Sequence, residues 1–138
     1  MRALTALLTA ILALAPAVSP PAQEADPLAE YKWLKRPLVI FADSPADPRF
    51  RRQMEMLEAD PEALEDRDVV VLTDTAPGAR GPLREALRPR DFMLVLIGKD
   101  GRVALRKPTP WSVRELSRAI DKIPLRQDEL IERRANGG

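Results

Sequence analysis

FMLVLIGKDGRVALR, Phe92–Arg106, holds two strands and the turn that joins them. Phe92 to Ile97 is a continuous apolar run, the pattern of a strand covered on both faces. Val103 and Leu105 alternate with polar neighbours, which marks a strand with one wet face, nearer an edge. Gly98-Lys99-Asp100-Gly101 between them reads as a hairpin turn, with Asp-Gly supplying the positive φ angles. A hairpin makes these two strands antiparallel. An all-parallel sheet would need a crossover there instead of a tight turn.

Working upstream, Leu38-Val39-Ile40-Phe41 is a second apolar run, suited to a central strand. Asp47 is a good N-cap, and Pro48 suits the first helical position, where its missing N–H is not needed. Phe50, Met54 and Leu57 recur at helical spacing until Pro61 ends that helix, and Pro61 to Arg67 forms a further turn. Asp68 to Thr73, rich in β-branched residues, reads as another buried strand. After a loop with Pro77, Gly78 and Gly81, Pro82 to Leu87 reads as a short helix closed by Pro89.

Downstream of the hairpin, Ser112-x-x-Glu115 is a capping box, and Trp111 can staple onto Leu116. Leu116, Ala119, Ile120 and Ile123 then form one apolar stripe. Pro124 stops that helix; Leu125 to Arg134 is charged and loosely helical. Tyr31 to Leu34 is expected to pack at the domain edge, with Trp33 and Trp111 as core or edge anchors rather than ligand platforms. The order β-α-β-α-β-β-α predicts an α/β, thioredoxin-like three-layer sandwich around a mixed four-stranded sheet. A flavodoxin-like sheet is the runner-up, and the Asp100-Gly101 hairpin counts against it.

The first residues, MRALTALLTAILALAPAVSPPAQEA, place one cation, Arg2, before an apolar core from Ala3 to about Ala15, followed by an A-x-A pattern at Ala15 and Ala17. This layout predicts a signal peptide over residues 1–17 cut after Ala17, with Ala22 as second choice. The apolar run falls short of the ~20 residues that span a bilayer comfortably, so no stable membrane anchor is expected after its removal. The rest divides into a proline-rich flexible lead-in over 18–30, a folded domain over 31–132 and a disordered tail over 133–138. The expected address is outside the cytoplasm, periplasmic or secreted.

Composition narrows the chemistry further. Lys and Arg number 22 against 21 Asp and Glu in 138 residues, a near-neutral balance that argues against nucleic acid as a partner. With no cysteine there is no disulfide, thiolate nucleophile or Cys-x-x-Cys pair. With no histidine there is no imidazole base and no usual zinc site. No cofactor, resident metal or catalytic residue is expected.

Two groups of residues remain as candidates. At the strand-to-helix junction, Asp43, Ser44 and Asp47, with Arg90 nearby, read either as a turn plus helix cap or as a carboxylate pair for a divalent cation or acid–base work. Ser44 as a nucleophile lacks any base marked by a motif. The second group, Arg80, Arg84 and Arg88, is spaced by four, so a helix would align it as an anion-binding face; the plainer reading is a solvated face opposite Leu83 and Leu87.

Trp33 with RPLVIFADS (Arg36–Ser44), Gln53 to Leu57, RDVVV (Arg67–Val71), LIGKDGRVALR (Leu96–Arg106) and IDKIPLRQDE (Ile120–Glu129) together resemble the domain of unknown function 4174 family. The likeness spans about Tyr31 to Glu132. That family comprises exported bacterial proteins of uncharacterised function, related to thioredoxin- or peroxiredoxin-like domains of animal sushi-repeat extracellular proteins. The resemblance implies that the place where thioredoxins carry redox cysteines reads Asp43-Ser44-Pro45-Ala46-Asp47 here. Pro89 is separated by Arg90 and Asp91 from the strand that the redox proteins begin with a cis-proline. The family has no established catalytic residues, so none is carried over.

The expected function is therefore a non-catalytic binding or envelope-structural module with an envelope or extracellular protein as partner. The alternatives are a cleft enzyme or anion/metal-binding protein using Asp43, Asp47 and the Arg80–Arg90 cluster, and a non-covalent chaperone with an apolar patch beside the cleft.

Overall fold

The structure is a computed structural model that describes residues 25–137. The expected signal peptide and most of the lead-in lie outside the described residues. The chain runs through β1 (Arg36–Phe41), α1 (Pro48–Glu58), α2 (Pro61–Asp66), β2 (Val69–Asp74), α3 (Pro82–Leu87), β3 (Met93–Ile97), β4 (Val103–Lys107), α4 (Val113–Asp121) and α5 (Pro124–Gly137), with short 3₁₀ turns at Ala29–Tyr31 and Pro77–Ala79. The sheet order is β2-β1-β3-β4. β1 is parallel to β2, with Leu38 opposite Val71, and antiparallel to β3, with Leu38 opposite Leu96.

The β3–β4 hairpin forms as expected, but with one positive φ instead of two. Gly101 alone takes it, at φ 83, while Gly98 N–H donates to Arg102 O at 2.8 Å and Gly101 N–H to Gly98 O at 3.0 Å. This is the turn-plus-bulge form of hairpin, and the pairing shifts register between Leu96 and Ile97 to absorb the extra residue.

Every residue of β1 is buried, and its alternation feeds two cores. Leu38 and Ile40 face Leu57, Leu64, Val113, Leu116 and Ile120 from α1, α2 and α4. Val39 and Phe41 face Leu28, Leu87, Val95 and Ile97 on the other side. This gives the three layers. Buried Gln53 joins α1 to the α4 entrance: its side-chain amide donates to Trp111 O and accepts from Trp111 N–H, each at 2.8 Å.

Four expectations are corrected. β2 is an edge strand and only half buried, because the chain places β1, not β2, at the centre. Trp33 is no anchor: it is 62% exposed, and Leu34 is 66% exposed. The flexible lead-in ends early, since Leu28 is buried in the second core. The tail is helical through Gly137, because Pro124 opens α5 and Arg133 bonds Asp66 at 2.7 Å.

Candidate functional site

At the C-terminal end of β1 the chain leaves the sheet through Ala42 and turns at Ser44, whose Oγ accepts from Ala46 N–H at 3.1 Å. Asp47 then starts α1, its Oδ1 accepting from Arg49 N–H at 2.8 Å, the expected cap. Arg49 folds back over the same carboxylate, Nη2 to Asp47 Oδ2 at 2.8 Å, and grips Asp91 with two bonds of 2.9 and 2.7 Å. Its guanidinium also lies 5.7 Å from the Phe92 ring centre.

The hydrogen bond from Arg49 is the main reason that both Asp47 and Asp91 are held below the usual carboxylate range, with partial burial opposing it. Arg49 is correspondingly raised, first by Asp47 and then by Asp91. A shallow groove of about 520 Å³ opens here, lined by Asp43, Ser44, Asp47, Arg49 and Asp91. Its one cation is fully engaged, Asp47 is bound to the helix start, and among the described residues no base is hydrogen-bonded to Ser44. No group of three or more His, Cys, Asp or Glu among the described residues is arranged to hold a metal.

Arg90 is not part of this groove; its neighbour Asp91 is. The antiparallel register, Phe41 opposite Met93, brings the ends of the two strands together, and Asp43 and Asp91 both line the groove just beyond them. Arg49 and Asp91 were missed because they are 42 residues apart and carry no motif. The strand register was the available signal. Because Asp47 is both cap and ion-pair partner, Asp47→Ala should lower Tm by about 5 °C, and Asp47→Asn, which keeps the acceptor, by much less. Thermal melts of the two variants check this; equal losses would make the charge itself the decisive feature.

The arginine row does not form. Only Arg84 lies within α3; Arg80 and Arg88 sit in left-handed positions at φ 45 and 48, so spacing by four does not align them. Arg84 is structural: it binds Asp74 Oδ1 at 2.9 Å and Ala42 O at 2.7 Å, and lies over the Phe41 ring. Arg80 and Arg88 do share a groove with Asp26 and Glu85, so their charge there is balanced and the groove is no anion cradle.

The densest charge cluster lies at the other end of β1. Arg36, with no exposed surface, donates to Arg67 O at 2.8 Å and to Glu129 Oε1 at 2.9 Å. Lys99 Nζ reaches Glu129 at 2.7 Å and Asp68 at 2.8 Å, while Arg126 Nη1 reaches Glu129 at 3.2 Å and its Nη2 reaches Asp66 at 2.8 Å. Arg67 binds Asp121 through two bonds of 3.0 and 2.8 Å. Four of the five motifs that carried the family resemblance, all but Gln53 to Leu57, thus meet here. Their charges are paired with one another, with only Nε of Arg36 and of Arg126 left without a hydrogen bond, which is the behaviour of a brace holding α5 to the sheet.

The family model described as Domain of unknown function (DUF4174) matches residues 27–129. The reduced 2-Cys peroxiredoxin of Plasmodium vivax is similar at 16% identity and a TM-score of 0.59, over 73% of this chain and 84% of that one. A thioredoxin family thiol:disulfide interchange protein from Chlorobium tepidum is similar at 14% identity and a TM-score of 0.45, over 68% of this chain and 82% of that one. No curated protein matches the sequence. The fold is thioredoxin-like, as the hairpin and the element order predicted.

Proposed function

Since the chain belongs to the DUF4174 family, which carries no assigned reaction, we propose from its own geometry that it is an exported binding or envelope-structural module that has kept the thioredoxin-like scaffold without thiol chemistry. The observation that carries this reading is the self-paired junction. Where a redox relative needs an accessible nucleophile, Asp47 caps α1 and Arg49 is clasped between Asp47 and Asp91. Export rests on the leader pattern of residues 1–17. The partner is a protein of the envelope or the extracellular space. The cleft-enzyme reading has less support, since Arg84 is bound to Asp74 and Arg90 stands outside the groove.

Material recovered from the exported fraction should begin at Val18 by N-terminal mass spectrometry. It should neither reduce insulin nor consume peroxide above a heat-killed control. Affinity capture from envelope extract should retain a protein partner even with Asp47→Asn. Met1 in exported material would defeat export, and genuine redox turnover would defeat the non-thiol reading.

A further inference from the structure

We propose that the turn Lys32–Lys35, which projects exposed Trp33 and Leu34 between two exposed lysines, docks the protein reversibly on an anionic lipid surface. This turn precedes β1, at the opposite end of the strand from the junction, so the proposal does not rest on the reading above. The turn is held rigidly. Leu34 N–H and Lys35 N–H both donate to Tyr31 O, at 2.9 and 2.8 Å, and Trp33 N–H donates to Lys99 O at 2.6 Å. Trp33 adopts φ 68, a left-handed conformation that is a genuine outlier for a bulky side chain. Asn or Gly would hold the same turn more easily. Strain of this kind persists where a side chain is needed in a particular place. What Trp33 gains is not burial, because most of the indole stands in solvent.

The chemistry around the two apolar side chains selects the partner. Trp favours the membrane–water boundary, where its ring is apolar and its N–H wet, and flanking lysines are drawn to anionic headgroups. Lys32 Nζ stands 5.7 Å from the Trp33 ring centre, and its stem lies beside Gly101 of the hairpin, next to exposed Arg102. Nearby Asp68 is paired chiefly with Lys99 at 2.8 Å and stands 4.0 Å from Lys35 Nζ, a looser contact that leaves the Lys35 side chain half exposed, and Asp100 accepts from Arg102 N–H. Size points the same way. Two protruding side chains fall well short of the ~800 Å² that a stable protein interface takes from each partner. Shallow insertion needs only such a prong plus charge. No helix among the described residues is long and apolar enough to cross a membrane.

The full chain carrying Trp111→Phe has Trp33 as its only indole, so emission reports on this turn, and variants at Lys32 and Lys35 separate its docking from any tethering by Ala3–Ala15. Phosphatidylglycerol–phosphatidylcholine vesicles should shift Trp33 emission to the blue, and brominated acyl chains should quench it. With Lys32→Glu and Lys35→Glu together, half-maximal quenching should need about tenfold more lipid. Unchanged emission, an equal response on phosphatidylcholine alone, or a shift that follows protein concentration without vesicles would overturn the proposal; the last would assign the prong to a second copy of the chain. Should Trp111→Phe not fold, the difference between wild-type and Trp33→Asn spectra gives the same readout. Trp33→Asn should hold or raise Tm, because Asn tolerates the left-handed backbone. A fall beyond ~5 °C would make the indole a packing anchor and sink the idea.

Discussion

Glu129→Ala should lower the unfolding free energy by about 3–5 kcal/mol at neutral pH, the cost of breaking a buried ion pair by removing one partner. Glu129 is the hub of the brace: Arg36, Lys99 and Arg126 all reach it. Arg36 stands on the central strand with no exposed surface, so its charge would be left without a carboxylate in a place water does not reach. The loss should therefore appear in urea unfolding of the whole domain and not only as release of α5. A loss below ~1 kcal/mol would show that the network closes over the gap or that α5 detaches at little cost.

The same carboxylate makes stability depend on acid. Burial pushes Glu129 up, but hydrogen bonds from Lys99, Arg36 and Arg126 and the charge of Arg36 outweigh it and hold the carboxyl at about 2, against an ordinary 4.5. A group lowered on folding contributes stability that is fully present above its unfolded value and is lost as pH falls through its folded one. For Glu129 that window runs from above 4.5 down to about 2, and the shift corresponds to roughly 3 kcal/mol. Asp66 and Asp121 are also lowered, chiefly by hydrogen bonds from Arg133 and Arg67, and act in the same direction. The gap between wild type and Glu129→Gln should thus be constant above about pH 6 and shrink to roughly half or less by pH 3. An undiminished gap at pH 3 would mean that Glu129 acts through shape alone.

What could be read in the chain and what could not divide along a physical line. β1, the Phe92–Arg106 hairpin, the Asp47 cap and the Ser112 cap all follow from spacing within one element, and each formed where that spacing put it. The cross-element charges did not announce themselves. Arg36 sits beside a proline at the head of an apolar run, where nothing local marks it as buried, yet it has no exposed surface because Glu129, 93 residues on, comes to meet it. Arg126 gave α5 a polar look that suggested a loose tail, whereas it is the residue that α5 buries. Trp33 misled in the opposite sense, since hydrophobicity alone places an indole inside. In the candidate site, Asp43, Ser44 and Asp47 were legible as a junction, but the Arg49–Asp91 clasp depends on register and rotamer and has no periodic signature.

Truncating the α4 stripe should match the brace in magnitude by a different mechanism. Leu116 and Ile120 have no exposed surface and pack with Leu38, Ile40, Leu94 and Leu96 against the centre of the sheet. Leu116→Ala or Ile120→Ala should each cost about 2–5 kcal/mol, from lost transfer energy plus the cavity left behind. The two positions are one turn apart and share neighbours, so the double variant should not show the sum of the single losses. Arg114→Ala and Arg118→Ala, on the exposed face of the same helix, should stay within about 0.5 kcal/mol. Unlike Glu129→Gln, the apolar truncations should keep their full effect between pH 7 and pH 3, because no proton is linked to the loss. Urea titrations of the variants at both pH values separate the two mechanisms in one experiment. If Leu116→Ala weakened with acid as Glu129→Gln does, the stripe and the brace would have to be a single cooperative unit, with α4 held to the sheet through α5 rather than by its own apolar face.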